Sequence, residues 1–150
     1  MASVFDVAKY ILSRKGSVST WKLQKLVYYS QAWSLVWDEK PLFNEEIYAW
    51  ANGPVCKELY DYHRGLFSLS ENTFGKGSIS KLTKSQKDTI DAVLKSYGKY
   101  TGQQLSNLTH SEEPWRAARK GLEVGERGHN KIELDCIAEF YSALYAVQTE

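Results

Sequence analysis

A cysteine near the start of a helix, with histidines within reach, is an arrangement that makes a nucleophile, and Cys56 invites that reading. Asn52-Gly53-Pro54 reads as a helix start. Gly53 would sit at the cap and Pro54 at the first helical position, where the missing N–H is no loss. Cys56 then falls near the third residue, where backbone N–H groups and the helix dipole lower a thiol pKa. His63 and His110 are the candidate bases. The competing reading is a small apolar residue packed at a helix start, and no further motif supports the enzyme. His110 and Glu113 have an H-x-x-E spacing and His129 lies on a glycine-rich turn. A metal site needs three or four converging ligands, and one helical turn here offers two. The structural reading is that Thr109-His110 end one helix while Glu113-Pro114 open the next. Gly75-Lys76-Gly77-Ser78 lacks the other residues of a phosphate-binding loop and follows no strand. Lys76, Lys81, Lys84 and Lys87 are diluted by Glu71, Asp88 and Asp91, which makes a solvated face rather than a nucleic-acid footprint. No catalytic residue, metal site or cofactor is therefore expected.

The aromatic residues are harder to set aside. They make up 13% of the chain, and several fall on one segment. Leu23, Leu26, Val27, Ser30, Trp33 and Trp37 recur at steps of three and four, and Tyr28 and Tyr29 point about 100° apart beside them. A helix this apolar over its circumference belongs at the centre of a bundle. One helix in a small bundle can hardly bury all four rings, so the exposed remainder is a candidate partner surface. Tyr29, Trp33 and Trp37, with Tyr48 and Trp50 from the following strand, form that candidate set.

The remaining elements follow from local signals. Ser3 and Asp6 form a capping box ahead of a helix with Phe5, Ala8, Ile11 and Leu12 on one face, closed by Gly16. The aromatic helix begins near Ser19 or Thr20. Glu46 to Trp50 alternates as a short strand, which Leu42-Phe43 can pair with as a hairpin over 42–50. Val55, Leu59, Tyr62 and Leu66 make the inner face of the third helix. Residues 67–81 read as a mobile surface loop. Thr83 and Gln86 cap a helix carrying Ile90, Val93, Leu94 and Tyr97, with Asp91 and Lys95 paired on its wet side. Two short helices follow, one with Leu105 and Leu108 and one opened by Pro114 and carrying Trp115. After Gly121, Gly125 and Gly128, Asn130 and Glu133 cap a last helix with Ile137, Phe140, Tyr141 and Leu144 inward. The expected architecture is mainly α: a single-domain compact bundle of about seven helices and one small hairpin, over residues 1–150.

At 150 residues the chain is long enough to bury its own core. Charged residues are 25%, and the net charge of +1 gives no long-range field for nucleic acid or an anionic membrane. No run approaches the roughly 18 apolar residues of a membrane span. The start, Met1-Ala2-Ser3-Val4-Phe5-Asp6, has no basic and apolar leader. Two unpaired cysteines fit a reducing compartment. A cytoplasmic protein is expected.

Taken in order, the motifs resemble one family. They are Lys22-Leu23-Gln24-Lys25-Leu26 with Tyr28-Tyr29, Ala49-Trp50-Ala51-Asn52-Gly53-Pro54-Val55, and Leu108-Thr109-His110 with Glu113-Pro114-Trp115. This combination resembles the Panacea domain, the SocA-like antitoxin family also found in phage-associated proteins. The sequence departs from the family's pattern at Ala51-Asn52, where an aromatic residue is frequent. The resemblance implies a toxin–antitoxin system, with a cognate protein toxin encoded by an adjacent gene and neutralised by direct binding. It implies no enzymatic activity. Its alternatives are an adaptor that delivers a toxin to a protease, a phage accessory protein and, outside the family's pattern, an enzyme using Cys56. Leu23, Leu26, Tyr28, Gly53, Pro54, Val55, Thr109, His110, Pro114 and Trp115 carry the signature and read as structural. Lys22 and Lys25 have no local partner; they pair with distant carboxylates or border a binding surface.

Overall fold

The computed structural model describes residues 2–149. Its first helix, α1 (Val4–Lys15), starts where the sequence says: Ser3 accepts from the Asp6 N–H and Asp6 returns the bond. Gly16 closes it at φ +79°, a conformation that suits glycine. A two-residue strand, β1 (Val18–Ser19), leads to the central helix α2 (Thr20–Trp37), capped by the Ser19 side chain. Every residue of α2 from Leu23 to Ser34 is buried, because α1, α4 (Lys84–Tyr97), α5 (Gly102–His110) and α7 (Leu134–Gln148) pack around it. Among the described residues, α3 (Lys57–His63) and α6 (Glu113–Ala118) complete seven α-helices, with two single turns of 3-10 helix at Glu71–Thr73 and Ile79–Lys81. The protein is thus mainly α with small antiparallel strand pairs.

A helix buried on all sides must satisfy its polar side chains internally. Gln31 does so by gripping backbone: Oε1 accepts from the Leu42 and Phe43 N–H groups at 2.6 and 3.3 Å, and Nε2 donates to the Phe43 carbonyl at 2.9 Å. Two turns earlier, Gln24 Oε1 accepts from the Cys56 N–H at 2.9 Å and Nε2 donates to the Cys56 carbonyl at 3.2 Å. These clamps change two expectations. Leu42-Phe43 is not a strand, since Gln31 takes the groups a hairpin partner would use. The hairpin instead joins β2 (Ile47–Trp50) to β3 (Gly53–Cys56), with Ile47 opposite Cys56 and Trp50 opposite Gly53. Gly53-Pro54 therefore opens a strand rather than a helix, and α3 starts only after Cys56. Residues 130–132 run along the other side of β2, with the Ala49 N–H on the Asn130 carbonyl and the Ile132 N–H on that of Ile47.

Other expectations shift for the same long-range reasons. Leu66 is exposed rather than on an inner face, because α3 ends at His63. The segment 67–81 is fastened: β4 (Ser68–Leu69) pairs with β1, and Phe74 is buried against Phe5 and Tyr62. Asp91 turns to Arg14 and Tyr10 on α1 instead of to Lys95. Asn130 donates to the Ala118 carbonyl and does not cap α7, whose N-cap position is Glu133. The Thr83–Gln86 box forms as read.

Candidate functional site

The candidate nucleophile fails on its own surroundings. Cys56 is buried at the end of β3, and burial pushes its thiol up to about 12, so it is protonated at neutral pH. Gln24 Nε2 lies 3.0 Å from His63 Nε2, which ties that imidazole into the interior. His110 stacks face to face on Trp115, with ring centroids 3.8 Å apart, and its Nε2 is buried without a hydrogen-bond partner. Among the described residues, no group of three or more His, Cys, Asp and Glu side chains is placed to hold a metal ion.

The two signature lysines have unexpected settings. Lys22 Nζ donates to the Gly98 carbonyl at 2.7 Å, capping the C-terminal end of α4, where a cation suits the helix dipole. Burial, and next the nearby Lys15 charge, hold its pKa below the ordinary value. Lys25 is 1% exposed, and its Nζ donates to the Pro54 carbonyl at 3.3 Å. No carboxylate among the described residues pairs with it, and burial lowers its pKa to about 7. Neither lysine meets the distant carboxylate that was one of the two expectations.

Lys25 also explains why the second motif needs its glycine. Gly53 has φ +122°, and a Cβ there would lie 2.5 Å from Lys25 Cε and 3.2 Å from the Thr109 hydroxyl. The lysine stem, Gly53-Pro54 and Thr109 thus meet at one point, and the three motifs are one packing unit. The remaining signature residues support the same strand pair. Trp115 Nε1 donates to the Trp50 carbonyl at 2.8 Å. Leu23, Leu26, Tyr28, Val55 and Pro114 are buried. Sequence reasoning missed Arg119, which is buried and donates to the Ala49 and Glu126 carbonyls at 3.0 and 2.6 Å. It missed Gln24, Gln31 and Glu112 too. The two glutamines seven residues apart in an apolar helix were the visible signal.

The candidate aromatic surface splits in two. Tyr29 is wholly buried: its hydroxyl donates to Glu112 Oε1 at 2.7 Å and its ring stacks on Tyr97 at 4.1 Å. Tyr141 donates to the same oxygen at 2.7 Å, and Tyr28 lies 3.1 Å from the Tyr141 hydroxyl. Burial raises the Glu112 carboxyl, partly offset by these two phenol bonds. Trp33 is buried and donates to the Tyr97 hydroxyl at 3.0 Å. Trp37 stacks on Trp33 and is 38% exposed beside Tyr145. Tyr29, Trp33 and Lys25 therefore cannot meet a partner without the fold opening.

Tyr48 and Trp50, by contrast, remain half-buried. Tyr48 stacks on His129 at 4.1 Å, and Trp50 donates through Nε1 to His129 Nδ1 at 3.1 Å. Trp50 lines an open cleft of about 810 Å³ between the N-terminal end of α2, the hairpin, α3 and the Arg127–His129 turn. Lys25, Tyr60, His63, Arg64 and Arg127 also line it, Lys25 and His63 buried and both arginines exposed.

The fold is thus a mainly helical domain with polar clamps in its interior and an open cleft beside the hairpin. The family model described as antitoxin SocA-like, Panacea domain matches residues 23–116, well over half of the chain. The chain belongs to that family. Comparison with curated proteins and with solved structures found no match. No helix among the described residues is long and apolar enough to cross a membrane.

Proposed function

We propose that this protein is the antitoxin of a toxin–antitoxin pair and that it neutralises a cognate protein toxin by stoichiometric binding. The observation that carries this reading is the family match over residues 23–116. It is supported by the state of Cys56, whose buried, protonated thiol offers no nucleophile. The whole chain acts as one binding domain in the cytoplasm, with its partner encoded by an adjacent gene. Neutralisation needs no group transfer: covering the toxin's working surface is sufficient.

Co-expression with each neighbouring gene product tests this. The expected outcome is that one neighbour arrests growth alone, that this protein restores growth, and that the two co-purify. Restored growth with disappearance of the toxin would instead identify delivery to a protease. Failure to restore growth against any toxic neighbour removes the antitoxin reading.

A further inference from the structure

The cleft beside the N-terminal end of α2 carries a charge imbalance that the fold itself does not use. Three exposed cationic side chains line it, Lys57, Arg64 and Arg127, against the single carboxylate of Asp61. That carboxylate is already engaged, 2.9 Å from Lys57 Nζ. No ion pair among the described residues includes Lys25, Arg64 or Arg127. The chain as a whole is nearly neutral, so this local excess is a property of the site.

An apolar apron adjoins the cleft. Thr20, on the cleft wall, takes its backbone N–H to the Phe67 carbonyl at 2.8 Å and its hydroxyl to the Leu66 carbonyl at 3.2 Å. That fixes the backbone of Leu66 and Phe67 to the first residue of α2, next in sequence to Trp21, which lines the cleft and is itself exposed. Phe67 is 84% exposed. Three large apolar side chains held in water by backbone bonds, next to unpaired arginines and a half-buried tryptophan, match the composition of protein-binding hot spots.

We infer that this cleft is where the partner protein docks, and that it receives an acidic segment carrying an apolar side chain. The acidic groups meet Arg64 and Arg127, while the apolar side chain rests on Trp21, Leu66 and Phe67. Charge complementarity selects this occupant. The cations are few and do not form a basic stripe that would track a phosphate backbone, and the family is described as antitoxin-like, which argues for a protein segment over a nucleic acid. The inference rests on the antitoxin reading for the partner's identity, but the chemistry of the site can be tested without it.

Arg64→Glu with Arg127→Glu reverses two exposed side chains and should leave the melting temperature unchanged. In the rescue assay this double variant should lose protection, and affinity for the purified toxin should fall at least about 30-fold. Phe67→Ser should weaken binding by a smaller factor, and Tyr145→Ser, on α7 beside the far end of α2, should not affect it. Protection that survives the double reversal but is lost in Tyr145→Ser overturns the inference and leaves the antitoxin reading standing. Independently, a short synthetic peptide of Asp and Glu around one Phe is titrated into the wild-type protein by NMR. The Trp21 and Trp50 indole N–H signals should shift, those of Trp33 and Trp37 should not, and the double reversal should abolish the shifts. If the wild type rescues nothing while the peptide gives this pattern, the antitoxin reading fails and the acidic-segment site stands. No indole shift with peptide, or displacement of the peptide by an oligouridylate, overturns the inference.

Discussion

The two ends of α2 are both crowded with aromatic rings, yet they use them oppositely. At the C-terminal end, Tyr29, Trp33, Tyr97 and Tyr141 stack and hydrogen-bond among themselves, with Glu112 as the shared acceptor. At the N-terminal end, Trp21, Trp50 and Tyr60 border a cleft with arginines beside them. A ring whose polar atom already has a protein partner, and whose faces are covered by other rings, adds stability and offers nothing to a ligand. Rings left around unpaired charge can do the reverse. Aromatic content alone does not separate these cases; burial of the ring and the charge left beside it do.

Substitutions sharpen this contrast, and Trp33→Ala should have the largest effect. It removes a buried indole and should lower stability by about 3–5 kcal/mol in denaturant titration. Trp21→Ala at the cleft should cost about 1 kcal/mol or less. Comparable losses at both sites would break the distinction.

Next in size is Lys25→Met. The Lys25 pKa falls from 10.5 to about 7 on folding, so between those values the unfolded chain binds more protons and stability rises with pH. The cost of burying the cation is therefore fully present below about pH 7 and is relieved by about pH 10.5. Relative to wild type, Lys25→Met should gain on the order of 3 kcal/mol below pH 7, and the gain should fade across that window. His63 and His110, both held low chiefly by burial and further by the Lys25 charge, titrate at lower pH in both proteins. A pH-independent difference between the two proteins would show that Lys25 is not buried as a cation.

Glu112→Ala should cost about 2 kcal/mol, since the Tyr29 and Tyr141 hydroxyls lose their common acceptor. Glu112→Gln, which keeps an acceptor, should recover part of it. The smallest effect belongs to the exposed Lys57–Asp61 pair: Asp61→Asn should change stability by less than about 0.5 kcal/mol. Because it also removes the cleft's one carboxylate, it should strengthen rather than weaken binding of an acidic peptide.

Much of the scaffold was legible in sequence, and the particular residues show which part. Ser3 with Asp6 and Thr83 with Gln86 cap their helices as read, and the three-four spacing from Leu23 to Trp37 correctly gave a central helix. These signals act across at most four residues or along one periodic face, so the partner is fixed by the chain itself. The family motifs were equally legible, since they are strings of residues in order.

The meaning of those motifs was decided only in three dimensions. Gly53-Pro54 suits a helix start and a strand equally well locally; Gln24, from 32 residues away, holds Cys56 in the strand. Leu42-Phe43 has the composition of a strand, and Gln31 occupies the groups it would pair with. Lys25 reads as pairing with a distant carboxylate or bordering a binding surface until the α2 helix is buried on every side, and Leu66 reads as the inner face of a helix until α3 ends early. In each case one side chain's partner lies on another element. Local propensity cannot encode which buried acceptor or donor arrives from afar, and the unmet hydrogen bond, not the residue type, determines the outcome.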